Sequence, residues 1–149
     1  MASKNQKEKL IFIEPELTVS QFDYLAIIYD VRRENGLAKS SDVAAAANVT
    51  RSTVSTTLKS LKSAGLITCE SYGPIHLTPK GEAIAQNICA MREALKDFFE
   101  DVVGLDERSA RNAAAAFNGM APQQAAEQLA QLRRFAMKNK KKWKKFSED

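Results

Sequence analysis

The sequence predicts a mainly α-helical fold carrying one small β-hairpin, and three patterns predict it. Apolar residues recur at helical spacing over most of the chain, with a hydroxyl or carboxylate side chain before many of the runs and glycine or asparagine after them. One stretch breaks that period. Leu66-Ile67-Thr68-Cys69-Glu70 and Ile75-His76-Leu77 flank Ser71-Tyr72-Gly73-Pro74, two strand-like runs joined by a Gly-Pro turn. Finally, 149 residues at 44% hydrophobic and 27% charged suffice for a buried core.

Residues 1–16 read as a polar arm. A first helix is expected from Ser20 to Glu34, capped by Thr18 or Ser20, with Phe22, Leu25, Ile28 and Tyr29 on one face and Asn35-Gly36 as its end. A short second helix, Asp42 to Ala47, follows Ser40-Ser41, whose hydroxyls suit a cap. Asn48-Val49-Thr50 forms a turn, and Thr50 caps a third helix, Arg51 to Ala64, stopped by Gly65. Val54, Leu58 and Leu61 give that helix an inward stripe. Its other face holds Arg51, Ser52, Ser55, Thr56, Lys59, Lys62 and Ser63, without an acid. After the hairpin, Thr78-Pro79 opens a long helix to Val103, with Ile84, Ile88, Met91, Leu95, Phe98 and Val102 in alternating steps of four and three. Another helix starts at Gly104-Leu105-Asp106, places Ala110, Ala113, Ala114 and Phe117 on one side and breaks at Asn118-Gly119. A last helix, from Pro122, carries Ala125, Leu129, Leu132 and Ala136 and dissolves into Lys138–Lys145.

Helix, helix, turn, helix and hairpin in that order make a winged helix-turn-helix. The expected organisation is the arm at 1–16, the winged unit at 17–78, a helical domain at 79–137 and a basic tail at 138–149. The function follows from groove dimensions. An α-helix fits the major groove of DNA, where base edges present a readable donor and acceptor pattern. Thr50, Arg51, Ser52, Thr53, Ser55 and Thr56 supply short polar groups at the start of the third helix, and Lys59 a cation for phosphate. Ser40, Ser41 and the N–H groups of the second helix suit a backbone phosphate. Tyr72, at the hairpin tip, is expected along the minor groove or backbone. Double-stranded DNA is therefore the expected partner.

Charge agrees. Residues 138–149 hold six lysines and two acids, so the +4 of the chain resides there and the remainder balances at 16 basic and 16 acidic residues. That basic tail suits sequence-independent contact with phosphates, with Trp143 stacking or packing back on the body. Two cysteines are too few for a disulfide framework. Cys69 and His76 are placed to face each other across the hairpin, a poor metal site as a pair, and Cys89 is a small residue beside the helical seam. No Gly-rich phosphate loop exists, and the single histidine supports no nucleophile, base and orienter set, so no enzyme is expected. No signal peptide or membrane span is read, and the expected compartment is the cytoplasm.

The stretches Gln21-Phe22-Asp23-Tyr24-Leu25-Ala26-Ile27-Ile28-Tyr29, Val54 to Leu66, Leu77-Thr78-Pro79-Lys80-Gly81 and Val103-Gly104-Leu105-Asp106 resemble the diphtheria toxin repressor family, and most closely its short manganese-regulator members. The resemblance runs from about Leu17 to Leu132. It implies a homodimeric repressor of palindromic operators, with a DNA-binding domain, a helical dimerisation domain and Mn²⁺ or Fe²⁺ as cofactor. At the metal-ligand positions this chain departs. The resemblance places ligands at Asp23 and Ala26 on the first helix, at Arg92 and Lys96 on the long helix, and at Ala114, Phe117 and Asn118 beyond it. Asp23 alone keeps a donor of the right kind, and one carboxylate is no site for these metals. No cofactor or metal residue is therefore expected; either a salt bridge of Asp23 with Arg92 or Lys96 takes the place of the cation, or the site has become ordinary packed or solvated surface. The alternative is a winged-helix protein-interaction module, which would present an exposed apolar patch on the third helix instead of a polar one.

Overall fold

The computed structural model describes residues 17–71, 73–117 and 123–148, and these divide into two compact units, the described residues up to Cys89 and those from Ala90 onward. In chain order the elements are α1 (Val19–Asn35), α2 (Ser40–Ala47), α3 (Arg51–Ser63), β1 (Ile67–Cys69), β2 (Ile75–Leu77), α4 (Pro79–Phe98), a π-helical turn (Phe99–Val103), α5 (Glu107–Ala116), α6 (Gln123–Lys138) and α7 (Lys140–Glu148). The division falls within α4.

In the first unit the caps act as their chemistry requires. Thr18 and Gln21 form a capping box on α1. The Thr18 hydroxyl accepts from the Gln21 N–H at 3.2 Å, and the Gln21 side-chain oxygen accepts from the Thr18 N–H at 2.8 Å. Gly36 ends α1 at φ +79°, a conformation that costs glycine little. Phe22, Leu25 and Ile28 are buried as their spacing predicts, while Tyr29 is half-buried beneath the Arg32 and Arg33 guanidiniums, 5.4 and 5.7 Å from its ring centre. Val43, Val54, Leu61, Leu66, Ile67 and Ile75 complete the core. Burying each such side chain stabilises the unit by roughly 1.5–3 kcal/mol.

Three details differ from the sequence reading. Lys39, not Ser40 or Ser41, stands at the N-cap of α2 and makes no side-chain cap bond; the two serines lie in the first turn, and Ser41 Oγ donates to Asp42 at 3.4 Å. The hairpin register sets His76 opposite Thr68 and Cys69 opposite Ile75, so Cys69 and His76 are on opposite faces and do not pair. Ala38 also bridges to Ile75, whose N–H donates to the Ala38 carbonyl at 2.8 Å, which anchors the wing to the segment before α2.

Arg32 on α1 forms a two-pronged pair with Glu82 on α4, Nη1 to Oε2 at 2.5 Å and Nη2 to Oε1 at 2.6 Å. Hydrogen bonding from Arg32 holds the Glu82 carboxyl below its ordinary value of 4.5. A carboxyl depressed by folding contributes stability above its unfolded pKa and loses it as pH falls through the folded value. Glu82→Gln is therefore expected to cost up to about 1 kcal/mol at pH 7, the pair being partly exposed. The difference should shrink as pH falls below about 4.5, which urea unfolding of both proteins across pH 7 to 3 checks.

In the second unit, Met91, Leu95 and Ala114 form a buried cluster against which Phe99, Ala125 and Leu129 pack. Phe99 meets Phe98 edge-on at 5.9 Å and Phe117 at 6.1 Å between ring centres. Asp106 caps α5 by accepting from the Ser109 N–H at 3.0 Å and its hydroxyl at 2.7 Å. Arg133 of α6 joins Asp97 at 3.2 Å and Asp101 in a closer contact. The long helix reaches Val103 as expected, but its last five residues take π pitch. The greater correction concerns the tail. Lys138–Lys145 does not dissolve: after Asn139 the chain enters α7, and the Trp143 indole N–H donates to the Val102 carbonyl at 3.0 Å.

Candidate nucleic-acid interface

The interface candidate is built on the turn between α2 and α3. Asn48 takes the left-handed conformation, φ 53° and ψ 47°, which its short amide side chain tolerates, and the Val49 N–H donates back to Ala44 at 3.0 Å. Thr50 then returns to extended backbone and caps α3 with its hydroxyl, 3.3 Å from the Thr53 N–H. The apolar stripe Val54, Leu58 and Leu61 is buried, so α3 can present only its other face. Arg51, Ser52, Thr53, Ser55, Thr56 and Lys59 are all exposed there.

Not all of these groups are equally available. The hydroxyls of Thr50 and Thr53 lie 3.0 Å apart and bond to each other, and the Thr56 hydroxyl donates to the Ser52 carbonyl at 3.3 Å. Arg51, Ser52 and Ser55 are exposed near the start of α3. Ser55 and Lys59 further line a cleft of about 530 Å³ together with Ser40, Lys62 and the wing residues Cys69 and Glu70. The structure thus brings Ser40, Ser55 and Lys59 to one groove between α3, the start of α2 and the wing. Ser41 stands beside Ser40 in the first turn of α2. Tyr72 lies outside the described residues.

Two positioning contacts escaped sequence reasoning. Lys62 Nζ donates to the Cys69 carbonyl at 3.0 Å, tying the end of α3 to the wing. Buried Gln21 donates through Nε2 to Ser60 Oγ at 2.6 Å, tying α1 to α3. The polar side chain at position 21, at helical spacing from the apolar Leu25 and Ile28, was a signal for the second contact; nothing in the sequence pointed to the first.

The positions where the resemblance expects metal ligands do not fit a divalent cation. In the first unit Asp23 is half-buried, while Ala26 is wholly buried and has no donor atom. In the second, Lys96 is a cation paired with Glu93 at 2.9 Å and Asp97 at 3.8 Å, an arrangement that raises its pKa chiefly through the Glu93 bond. Arg92 on the same helix is likewise a cation. Ala114 belongs to the buried apolar cluster, and Phe117 packs on Phe99. Asn118 lies outside the described residues. Among the described residues no three His, Cys, Asp or Glu side chains are gathered as a metal site. Cys89 is half-buried and its thiol faces Asp30 at 3.8 Å.

Residues 16–75 match the model of the iron dependent repressor N-terminal DNA binding domain. The chain is 33% identical over 95 residues to the HTH-type transcriptional regulator MntR of Lysinibacillus sphaericus (strain C3-41), covering 64% of this chain and 68% of that protein. It is also 33% identical over 117 residues to the transcriptional regulator MntR of Escherichia coli O6:H1, covering 78% of this chain and 73% of that one. Among solved structures, IdeR of T. acidophilum superposes with a TM-score of 0.66 at 21% identity, over 80% of this chain. This chain spans only 55% of the IdeR chain's length, so the likeness is one of fold over that part.

Proposed function

The chain belongs to the diphtheria toxin repressor and manganese transport regulator family, and on that premise we propose that it is a sequence-specific repressor acting as a homodimer. The family consists of DNA-binding transcription regulators, not enzymes. The observation that carries the reading is the exposed face of α3. It has three cations and a row of hydroxyls, no acid, and stands behind a left-handed turn that fixes its entry. Such a face suits base edges and phosphates and would be ill suited to an apolar protein partner. Arg51 takes the role of base reader, Ser52 and Ser55 assist it, and Lys59 with the start of α2 holds phosphate.

Two finer parts of the proposal have separate support. The regulator works without the metal of its family, because alanine, phenylalanine, arginine and lysine occupy five of the seven expected ligand positions. It pairs through the Ala90–Asp149 unit, where Phe117, Leu132 and Phe135 are exposed, Phe135 at 63%. No helix among the described residues is long and apolar enough to cross a membrane, and a DNA partner makes the cytoplasm the proposed site of action.

Selection from a random duplex pool, run in chelator and again with Mn²⁺ or Fe²⁺, tests the proposal. One palindrome recovered equally in both conditions is expected. Recovery only with metal would overturn metal independence. No recovery in either would overturn specific DNA binding and favour a protein-interaction module.

A further inference from the structure

The C-terminal helix presents a surface that the operator-reading face does not use. Helix α7 is two-sided. Half-buried Trp143 is fastened to the Val102 carbonyl, and Phe146, itself exposed, meets it in a tilted contact at 5.7 Å between ring centres. Lys140, Lys141, Lys142, Lys144 and Lys145 occupy the rest of its circumference and are exposed. Lysines at positions 140 and 144, and again at 141 and 145, stand one turn apart, where like charges destabilise a helix. The only acids of residues 138–149, Glu148 and Asp149, stand at the end of that segment, so six lysines outweigh two acids. A frayed tail would let these charges spread; an anchored helix holds them together. The Asn139 carbonyl also starts the helix firmly, accepting from the N–H groups of Lys142 at 2.9 Å and Trp143 at 3.0 Å.

We propose that α7 is a second DNA-contacting surface, one that binds the phosphate backbone without regard to sequence. This inference rests on the reading of the chain as a DNA-binding regulator and adds to it where most of the electrostatic affinity arises. Charge complementarity carries it. Outside residues 138–149 acids and bases cancel, whereas this segment carries a net +4 and stands ordered with its lysines outward. A duplex is a dense line of phosphates whose condensed counterions are released when lysines replace them, and that release is the main sequence-independent source of affinity.

The test is the salt dependence of duplex binding by the full chain and by the triple variant Lys141→Gln, Lys144→Gln, Lys145→Gln. These side chains are exposed, and the fluorescence of Trp143, the single tryptophan, reports whether α7 keeps its seat. The slope of log affinity against log salt should become shallower by about 2.7 if all three lysines reach phosphate. Affinity for a selected operator and for random duplex should fall by the same factor, at least tenfold at low salt. An unchanged slope with unchanged Trp143 emission would overturn the inference. So would an unchanged slope accompanied by loss of binding to anionic lipid vesicles, which would assign the helix to a membrane surface. The two readings separate cleanly: random-duplex binding that selects no sequence but loses its slope in the variant would overturn the operator-reading role of α3 and sustain this one.

Discussion

Gly81→Ala is expected to destabilise the first unit by about 3 kcal/mol or more. A Cβ built at this position lies 2.0 Å from the Leu66 carbonyl oxygen and 2.9 Å from its carbon, both backbone atoms that no rotamer change can move. Retreat of that backbone is opposed on each side. The Thr78 N–H donates to the Leu66 oxygen at 3.0 Å, the Thr78 hydroxyl donates to the Gly65 carbonyl at 2.8 Å, and the same hydroxyl accepts from the Gly81 N–H at 3.1 Å. Leu66 and Ile67, each 1% exposed, lead directly into the wing. Alanine would gain about 1 kcal/mol of helix propensity over glycine, so the sign turns on the clash, which is the larger effect. Thermal unfolding should show a fall in Tm of more than about 10 °C. A variant within about 2 °C of the parent would show that α4 and the hairpin can separate at little cost.

Arg51→Ala is expected to lower affinity for the selected operator by about 1–3 kcal/mol, roughly five- to 150-fold, while random duplex is bound nearly as before. Arg51 opens α3, is exposed and takes no part in the cap that Thr50 and Thr53 form between them. Its loss should therefore leave unfolding within about 0.5 kcal/mol of the parent. Lys59→Ala, two turns further along and beside the cleft, should behave differently. It should weaken all duplexes alike and reduce the salt slope by about one. Dissociation constants on operator and random duplexes at two salt concentrations distinguish the residues. Equal loss on both duplexes for Arg51→Ala would make it a phosphate contact and leave base reading to Ser52 and Ser55.

How far the sequence could be read depended on whether a feature repeats. Helices α1, α3 and α5 announce themselves through periodic burial and local caps, and Thr18, Thr50 and Asp106 perform the caps their side chains suggest. The face of α3 was legible for the same reason, because burial of Val54, Leu58 and Leu61 determines what must point outward. Single events were not legible. One backbone pair, Ala38 with Ile75, has no period to detect. Serine is a common cap, which points to Ser40 or Ser41 at the start of α2, yet here Lys39 stands at the cap and makes no side-chain cap bond. The hairpin register slipped by one because Ser71-Tyr72-Gly73-Pro74 leaves the turn length open, and a slip of one exchanges the faces. Charge dominates the composition of the basic tail, which hides its helix. Lysine is nonetheless a good helix former, and one tryptophan bond seats the segment. In the candidate interface, the residue types were legible and their hydrogen bonds were not: Thr56 is turned back on Ser52, and Lys62 is spent on the Cys69 carbonyl.

The π-helical turn at Phe99–Val103 has a consequence for how this stretch tolerates changes of length. A π turn holds one residue more than the α ladder through the same rise would require. Deleting a single residue there would let the ladder close as ordinary α-helix and leave everything beyond it in nearly the same phase relative to Met91 and Leu95. The same deletion in the α-helical part of α4 would rotate everything beyond it by about 100°, taking the Val102 carbonyl from Trp143 and Phe99 from Phe117. The spare residue thus makes this turn the place where the chain can absorb the loss of one residue. A deletion within the turn is expected to be milder than one a few residues earlier, where all of these contacts would be reset at once.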